Sequence, residues 1–383
     1  VTTAGAQSYT DAVTLGADTT LVTTNSSVGF TSTLNSLASL SAPATLSITA
    51  GTGNITLGGI VGGATGGALG AVTLVSATNV GINAAFTAAS LTQQAGSGTT
   101  TIGGATTLTG ALGFAGGNLV INAAVGAGGA VSFTGSALTV NAAVTAGGAV
   151  TVANTGTFTT SATGDITAAG AFTQSGAGAN SLAGNVSLTL DSAALSFATA
   201  VTLTGNVVFS TTNGAATFAE VVDGTADNDQ NLTLNAGTGV VTFAKALGAV
   251  KKLGDVVANS TGATKFQGAV LAKSLTTNAG GSTELSADVT TTAAQSFGDA
   301  LSLKNNIILA GTDITLAQTV NSDGTARTLQ VTGSGVTTFG GIVGGTAELA
   351  SLTVDGGGTT LLNAGAVTTA GAQSYTDAVT LGA

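Results

Sequence analysis

Along most of the chain, apolar residues alternate with Thr, Ser or Asn over runs of three to seven residues, as in LTVNAAV, VTFAKAL, NLTLNAG and VSLTL. Successive side chains of a strand point to opposite faces, so a period of two predicts strands with one apolar side. Gly, Asn and Asp punctuate these runs and supply the positive φ that tight corners require. The apolar positions are rich in β-branched residues, which favour strands. No segment carries an apolar stripe at helical spacing behind an N-cap. The chain is predicted to be all-β.

The runs themselves recur. LVINAAVGAGGAVSF at 119–133 aligns with LTVNAAVTAGGAVTV at 138–152, an offset of 19. INAAFTAASLT at 82–92 places Asn83 39 positions before Asn122, and AAGAFT at 168–173 follows its counterpart by 22. A string of β-sandwiches would need a new core about every 100 residues. A parallel β-helix needs only one coil of about 20 residues stacked on the next. The short period favours the second, a parallel β-helix (β-solenoid) with coils of 19–22 residues. Val, Leu, Ile and Phe are expected to fill its core, with Asn83, Asn122 and Asn141 stacked in an internal amide ladder.

Longer-range relatives share the same grammar. LSITAGTGNITLGGIVGG begins at Leu46, LTLNAGTGVVTFAKALGA at Leu232 and LQVTGSGVTTFGGIVGG at Leu329. Asp223-Gly-Thr-Ala precedes the second of these and Asp323-Gly-Thr-Ala the third; AQSYTDAVTLGA at 6–17 has a relative, AQSFGDALSLKN, at 294–305. Residues 1–17 return unchanged at 367–383. Residues 1–383 are therefore expected to be a single continuous solenoid segment. Residues 1–366 form one long period of about 18 coils, and 367–383 begin the next. The protein's own termini and any specialised domain are expected elsewhere.

Composition narrows the chemistry. There is no His, Cys, Met or Trp, so thiolate and most zinc sites, cysteine nucleophiles and the usual general bases are missing. Charged residues make up 6%, and the 146 residues from Thr19 to Gly164 contain none. All seven cations lie between Lys245 and Arg327 and the net charge is −10, the wrong balance for a phosphate backbone, so no nucleic-acid partner is expected. Ile55–Val75 is uncharged over 21 residues, long enough to cross a bilayer. Its dense Gly, its alternation and its charged relatives around Lys245 and Glu348 read as strands, so no transmembrane segment is expected.

With these coils in view, the chain resembles the repetitive shafts of filamentous-haemagglutinin-like proteins, giant bacterial adhesins of the two-partner-secretion and autotransporter type. The likeness rests on SITAGTGNITLGGIVGG, TTFGGIVGGTAELASLTV and the AQSYTDAVTLGA copies, and it covers essentially the whole chain. The resemblance implies a right-handed parallel β-helix, an extracellular or cell-surface position and export through an outer-membrane partner. No match to the family's secretion domain occurs here, so the route is implied by the resemblance alone.

Candidate chemistry is sparse. Asp223, Asp227 and Asp229, with Asn228 and Asn231 among them, form an oxygen-rich loop of the kind that binds Ca²⁺. The matching loop at Asp323 lacks the second and third carboxylates, so a solvated turn is preferred and no metal or cofactor is expected. Lys251, Lys252 and Asp255, with Lys245 and Lys265 nearby, suit an anionic sugar or an exposed face that resists lateral aggregation, and the latter is preferred. Glu284 and Asp288 could pair for glycoside hydrolysis, but no cleft is evident around them. Asn25, Asn54, Asn185, Asn231 and Asn259 each begin an N-x-S/T triplet, frequent by chance in a Thr-rich chain. The expected function is a structural shaft of an extracellular filament with no catalytic role, its partners being the rest of its own array, with neighbouring shafts or cell-surface glycans as further candidates. The alternative is an adhesive module whose Thr-rich faces bind glycans, surfaces or neighbouring shafts.

Overall fold

The alternating runs become short strands, most of them three to six residues long, and no described residue is helical. The computed structural model describes residues 1–382. The chain divides into two compact units, Val1–Thr189 and Leu190–Ala383. Each is a parallel β-solenoid of three-sided coils, wound in the right-handed sense favoured for parallel crossovers. In the first unit one side is traced by Val13, Leu34, Val61, Phe86, Thr106, Val125, Val144, Ile166 and Val186, which gives nine coils. In the second, Leu195, Ala216, Val241, Thr264, Thr283, Leu301, Val320, Val343 and Val367 do the same. The total is about 18.

The 19-residue offset is a true coil. Leu119 pairs with Leu138, Val125 with Val144 and Val131 with Val150, one pair on each side of the coil. Coil length ranges more widely, from 18 residues between Ser282 and Ala300 to 27 between Val28 and Ile55. The long coils belong to the LSITAGTG family. Their extra residues leave at corners, as residues 37–45 do after Leu34–Ser36. A loop on the outside of a solenoid lengthens one coil without disturbing the register of the next.

Side-chain parity places Val, Leu, Ile and Phe inside. Val28, Ile48, Ile55, Leu57 and Val72 are fully buried in the first unit, as are Leu232, Val241, Leu275 and Leu309 in the second. Each such side chain contributes about 1.5–3 kcal/mol by leaving water. Because coils repeat, like residues also meet directly. Phe197, Phe218, Phe243 and Phe266 stack in sequence at centroid distances of 5.5, 5.2 and 5.4 Å, with ring planes within 15° of parallel. Phe114 on Phe133 (5.2 Å) makes a shorter stack in the first unit.

The amide ladder differs from expectation. Asn141 Nδ2 donates to Asn122 Oδ1 at 2.8 Å, but both side chains are exposed. Each directly follows an inward residue, Ile121 or Val140, so alternation turns it outward. Asn83 is exposed as well, and Gly103, which takes the same place in the intervening coil, interrupts the ladder.

Candidate functional site

The corners hold most of the polar chemistry, and there Asp and Asn side chains repeat one act. Each Oδ1 accepts a main-chain N–H from an adjoining coil. Asp18 takes Thr45 N–H (2.8 Å), Asn79 takes Thr99 N–H (2.9 Å) and Asp165 takes Asn185 N–H (2.7 Å) in the first unit. In the second, Asn206 takes Asn231 N–H (2.9 Å), Asp288 takes Ile308 N–H (2.8 Å) and Asp313 takes Val336 N–H (2.7 Å). A corner is where strand pairing lapses and main-chain donors fall free, so a short side-chain acceptor satisfies them. The bond to Thr45 holds the Asp18 carboxyl below its usual range.

Asp223 and Asp227 belong to this pattern, and Asp229 bonds within its own loop. Asp223 Oδ1 accepts from Val250 N–H (2.9 Å) and Asp227 Oδ1 from Lys252 N–H (2.9 Å), while Asp229 Oδ2 accepts from Gln230 Nε2 (2.7 Å). Gln230 Oε1 in turn takes the N–H groups of Thr225 and Ala226 and winds the loop around itself. The three carboxylates are thus directed to separate donors. No group of three His, Cys, Asp or Glu suited to a metal ion occurs among the described residues. In the matching loop, Arg327 Nε and Nη2 donate to the two oxygens of Asp323 (3.0 and 3.1 Å), which lowers the Asp323 pKa.

The remaining charged candidates are also placed coil against coil. Lys251 meets Asp227 (3.8 Å) and Lys273 meets Asp255 (3.3 Å). Glu284 stands between Lys265 (3.8 Å), its register neighbour, and Lys304 (3.7 Å), two residues past its other register neighbour Ser302. Glu284 and Asp288 serve different elements, one the strand face and one the corner. Of the N-x-S/T asparagines, Asn25 takes Thr52 N–H, Asn54 takes Asn79 N–H, and Asn231 takes Asp255 N–H. Asn185 gives its own N–H to Asp165, and Asn259 Nδ2 donates to Asn235 Oδ1.

A second corner device uses glutamine turned inward. Gln295, buried, donates through Nε2 to Val289 O (3.2 Å), Thr291 Oγ1 (3.3 Å) and Ala310 O (2.8 Å). Four residues on, buried Asp299 accepts Gly281 N–H (2.8 Å) and the Thr283 hydroxyl (3.3 Å). Burial raises the Asp299 pKa, the two bonds opposing it. The folded state therefore favours the protonated carboxyl. Its contribution to stability is complete below the unfolded carboxyl value of about 4 and is lost as pH rises through the folded value. Asp299→Asn stays neutral and keeps the acceptor for Gly281. It is expected to gain stability over the wild type between pH 4 and pH 7 in urea melts; a difference that does not change with pH would refute this.

Two cavities of the first unit follow the coils. In the first unit, an apolar void of about 20 Å³ lies among Leu119, Ile121, Phe133, Val140 and Ile166, room for one water at most and without polar partners for it. An open groove of about 460 Å³ follows a corner past Ala95, Gly116, Thr134, Gly135 and Thr155. Its lining is uncharged and, apart from Gln94, small. No helix among the described residues is long and apolar enough to cross a membrane. No protein-family model, curated protein or solved structure matches the chain.

Proposed function

We propose that the chain is a structural shaft segment of a giant bacterial adhesin, extracellular or at the cell surface, whose work is rigid extension without a catalytic step. One observation carries this reading: the polar side chains at the corners are spent on joining each coil to the next. Three strand ladders, a corner acceptor and a stacked core couple each coil to its neighbours, which is how a solenoid resists bending and local opening. A chain without Cys has no disulfides to form or rearrange on leaving the cell. Immunogold microscopy with antibodies against the chain should decorate fibres on intact cells. Label that appears only after the cells are permeabilised would sink the proposal.

A second reading, adhesion by the shaft itself, is favoured by one row of side chains. Outward Thr73, Thr92, Gly113, Ser132, Thr151 and Thr173 are paired in register on successive coils. Strand spacing sets them about 4.8 Å apart, a charge-free file of hydroxyls, broken at Gly113, suited to neutral glycans or a neighbouring shaft. Binding to a panel of neutral glycans should be lost in Ser132→Lys/Thr151→Lys with the melting temperature unchanged. Binding that persists in that variant removes the row from consideration.

A further inference from the structure

The two copies of VTTAGAQSYTDAVTLGA are built alike and paired from opposite sides. In the first, Gln7 Nε2 donates to Val1 O (3.4 Å) and Thr3 Oγ1 (3.2 Å), and the Tyr9 hydroxyl donates to Gln7 Oε1 (3.2 Å). In the second, Gln373 Nε2 donates to Val367 O (3.1 Å) and Thr369 Oγ1 (3.3 Å), and the Tyr375 hydroxyl to Gln373 Oε1 (3.2 Å). The first copy pairs with the coil after it, Thr2 with Val22, Gln7 with Val28 and Val13 with Leu34. The second pairs with the coil before it, Val343 with Val367, Leu352 with Gln373 and Thr360 with Val379.

The diverged relative AQSFGDALSL is paired on both sides, Leu275 with Gln295 and Gln295 with Ile314. It combines the forward bond of one copy with the backward bond of the other, although Phe297 stands in the tyrosine's place and leaves Gln295 Oε1 without a partner. Gln295 reaches forward to Ala310 O, as Gln7 reaches forward to Val22 O (2.9 Å). Asp299 reaches back to Gly281 N–H, as Asp377 reaches back to Gly357 N–H (3.0 Å). Asp11, the same residue in the first copy, is exposed, whereas Asp299 and Asp377 are buried.

We propose that this segment is a seam coil, at which a second copy of the same chain continues the first. Residues 367–381 of one copy then stand where residues 1–15 of the next would, between the coil of 343–362 and the coil of 22–36. One glutamine makes all three of its bonds there, one aspartate takes the glycine N–H behind it, and the seam tyrosine stacks on the next Phe30 as Tyr9 does at 4.7 Å and 11°. The partner is recognised by register and parity, the open edges of a parallel sheet being templates for more of it. This goes beyond the shaft reading and does not depend on it.

The test is a two-period chain in which residues 1–366 are followed directly by residues 1–383. Tyr9→Phe in the first copy and Tyr375→Phe in the last leave the seam tyrosine as the one tyrosine present. Its ring signals should be shifted by Phe30, and the shift should vanish in Phe30→Leu of the second period. Backbone amides of the seam should exchange about a hundredfold or more slowly than the same segment at either end of the single chain. An unshifted ring with seam amides exchanging like an open end would overturn the proposal and leave the shaft reading standing, provided the interior coils of each period stay protected. Loss of protection throughout both periods would also overturn it, because coils that continue across a seam do not unfold what they join.

Discussion

Replacing Phe218 by alanine is expected to lower the free energy of unfolding by about 3–5 kcal/mol. The ring lies between Phe197 (5.5 Å) and Phe243 (5.2 Å), with Phe209 edge-on at 5.2 Å, and it is 1% exposed. The void cannot easily collapse. Ala216, Thr217 and Phe218 are held in register with Leu195–Phe197 on one side and Val241–Phe243 on the other, so the three flanking rings lose a face rather than close in. Coupling in a solenoid is to nearest neighbours, which makes the response local. Hydrogen exchange should accelerate most at residues 195–197, 216–218 and 241–243, and least near Val354. Phe218→Leu retains much of the volume and should cost clearly less. Uniform acceleration along the second unit would show that the ladder is not a chain of neighbour contacts.

How much of this could be read from the residues depends on which signal carried it. The all-β class and the coil itself were legible, because LVINAAV and LTVNAAV repeat with unchanged length and the structure pairs Leu119 with Leu138. The phenylalanine ladder was hidden, since its members are separated by unequal loops and pair only once those loops are folded away. The outward position of Asn122 was available from parity, given that Ile121 is an inward residue. The glutamine corner had a signature too: Val1-x-Thr3-x-x-x-Gln7 recurs as Val289…Gln295 and Val367…Gln373. What it does was not legible, because two of the three acceptors of Gln295 are carbonyls, which any residue would supply. Asp223, Asp227 and Asp229 look like a cluster along the chain because the donors that Asp223 and Asp227 serve, at Val250 and Lys252, are brought near only by coiling.

The recurring Gly of the IVGG and ALGA segments should prove as costly to change, for a backbone reason. Gly62, Gly248 and Gly344 have φ of +68°, +70° and +70°, and a Cβ on them would stand against the carbonyl oxygens of Thr87, Leu271 and Thr368. Each N–H donates backwards, to Leu34 O (2.8 Å), Val222 O (2.8 Å) and Val320 O (2.7 Å). Gly248→Ala is expected to destabilise the protein by about 2–4 kcal/mol, of which the left-handed backbone supplies about 1–2 and the crowding the remainder. The opposing carbonyl has little freedom to retreat, because Leu271 N–H is itself held by Leu247 O at 2.9 Å. The strain can be relieved only by spreading two coils, which breaks the pairing on both sides of the corner. Gly5→Ala is the control: its backbone is not left-handed and nothing lies within 4 Å of the added carbon. Urea melts of the two variants should therefore separate by most of the predicted cost. If Gly248→Ala unfolds with Gly5→Ala and the wild type, the corner can open freely, and these glycines recur for some reason other than close approach.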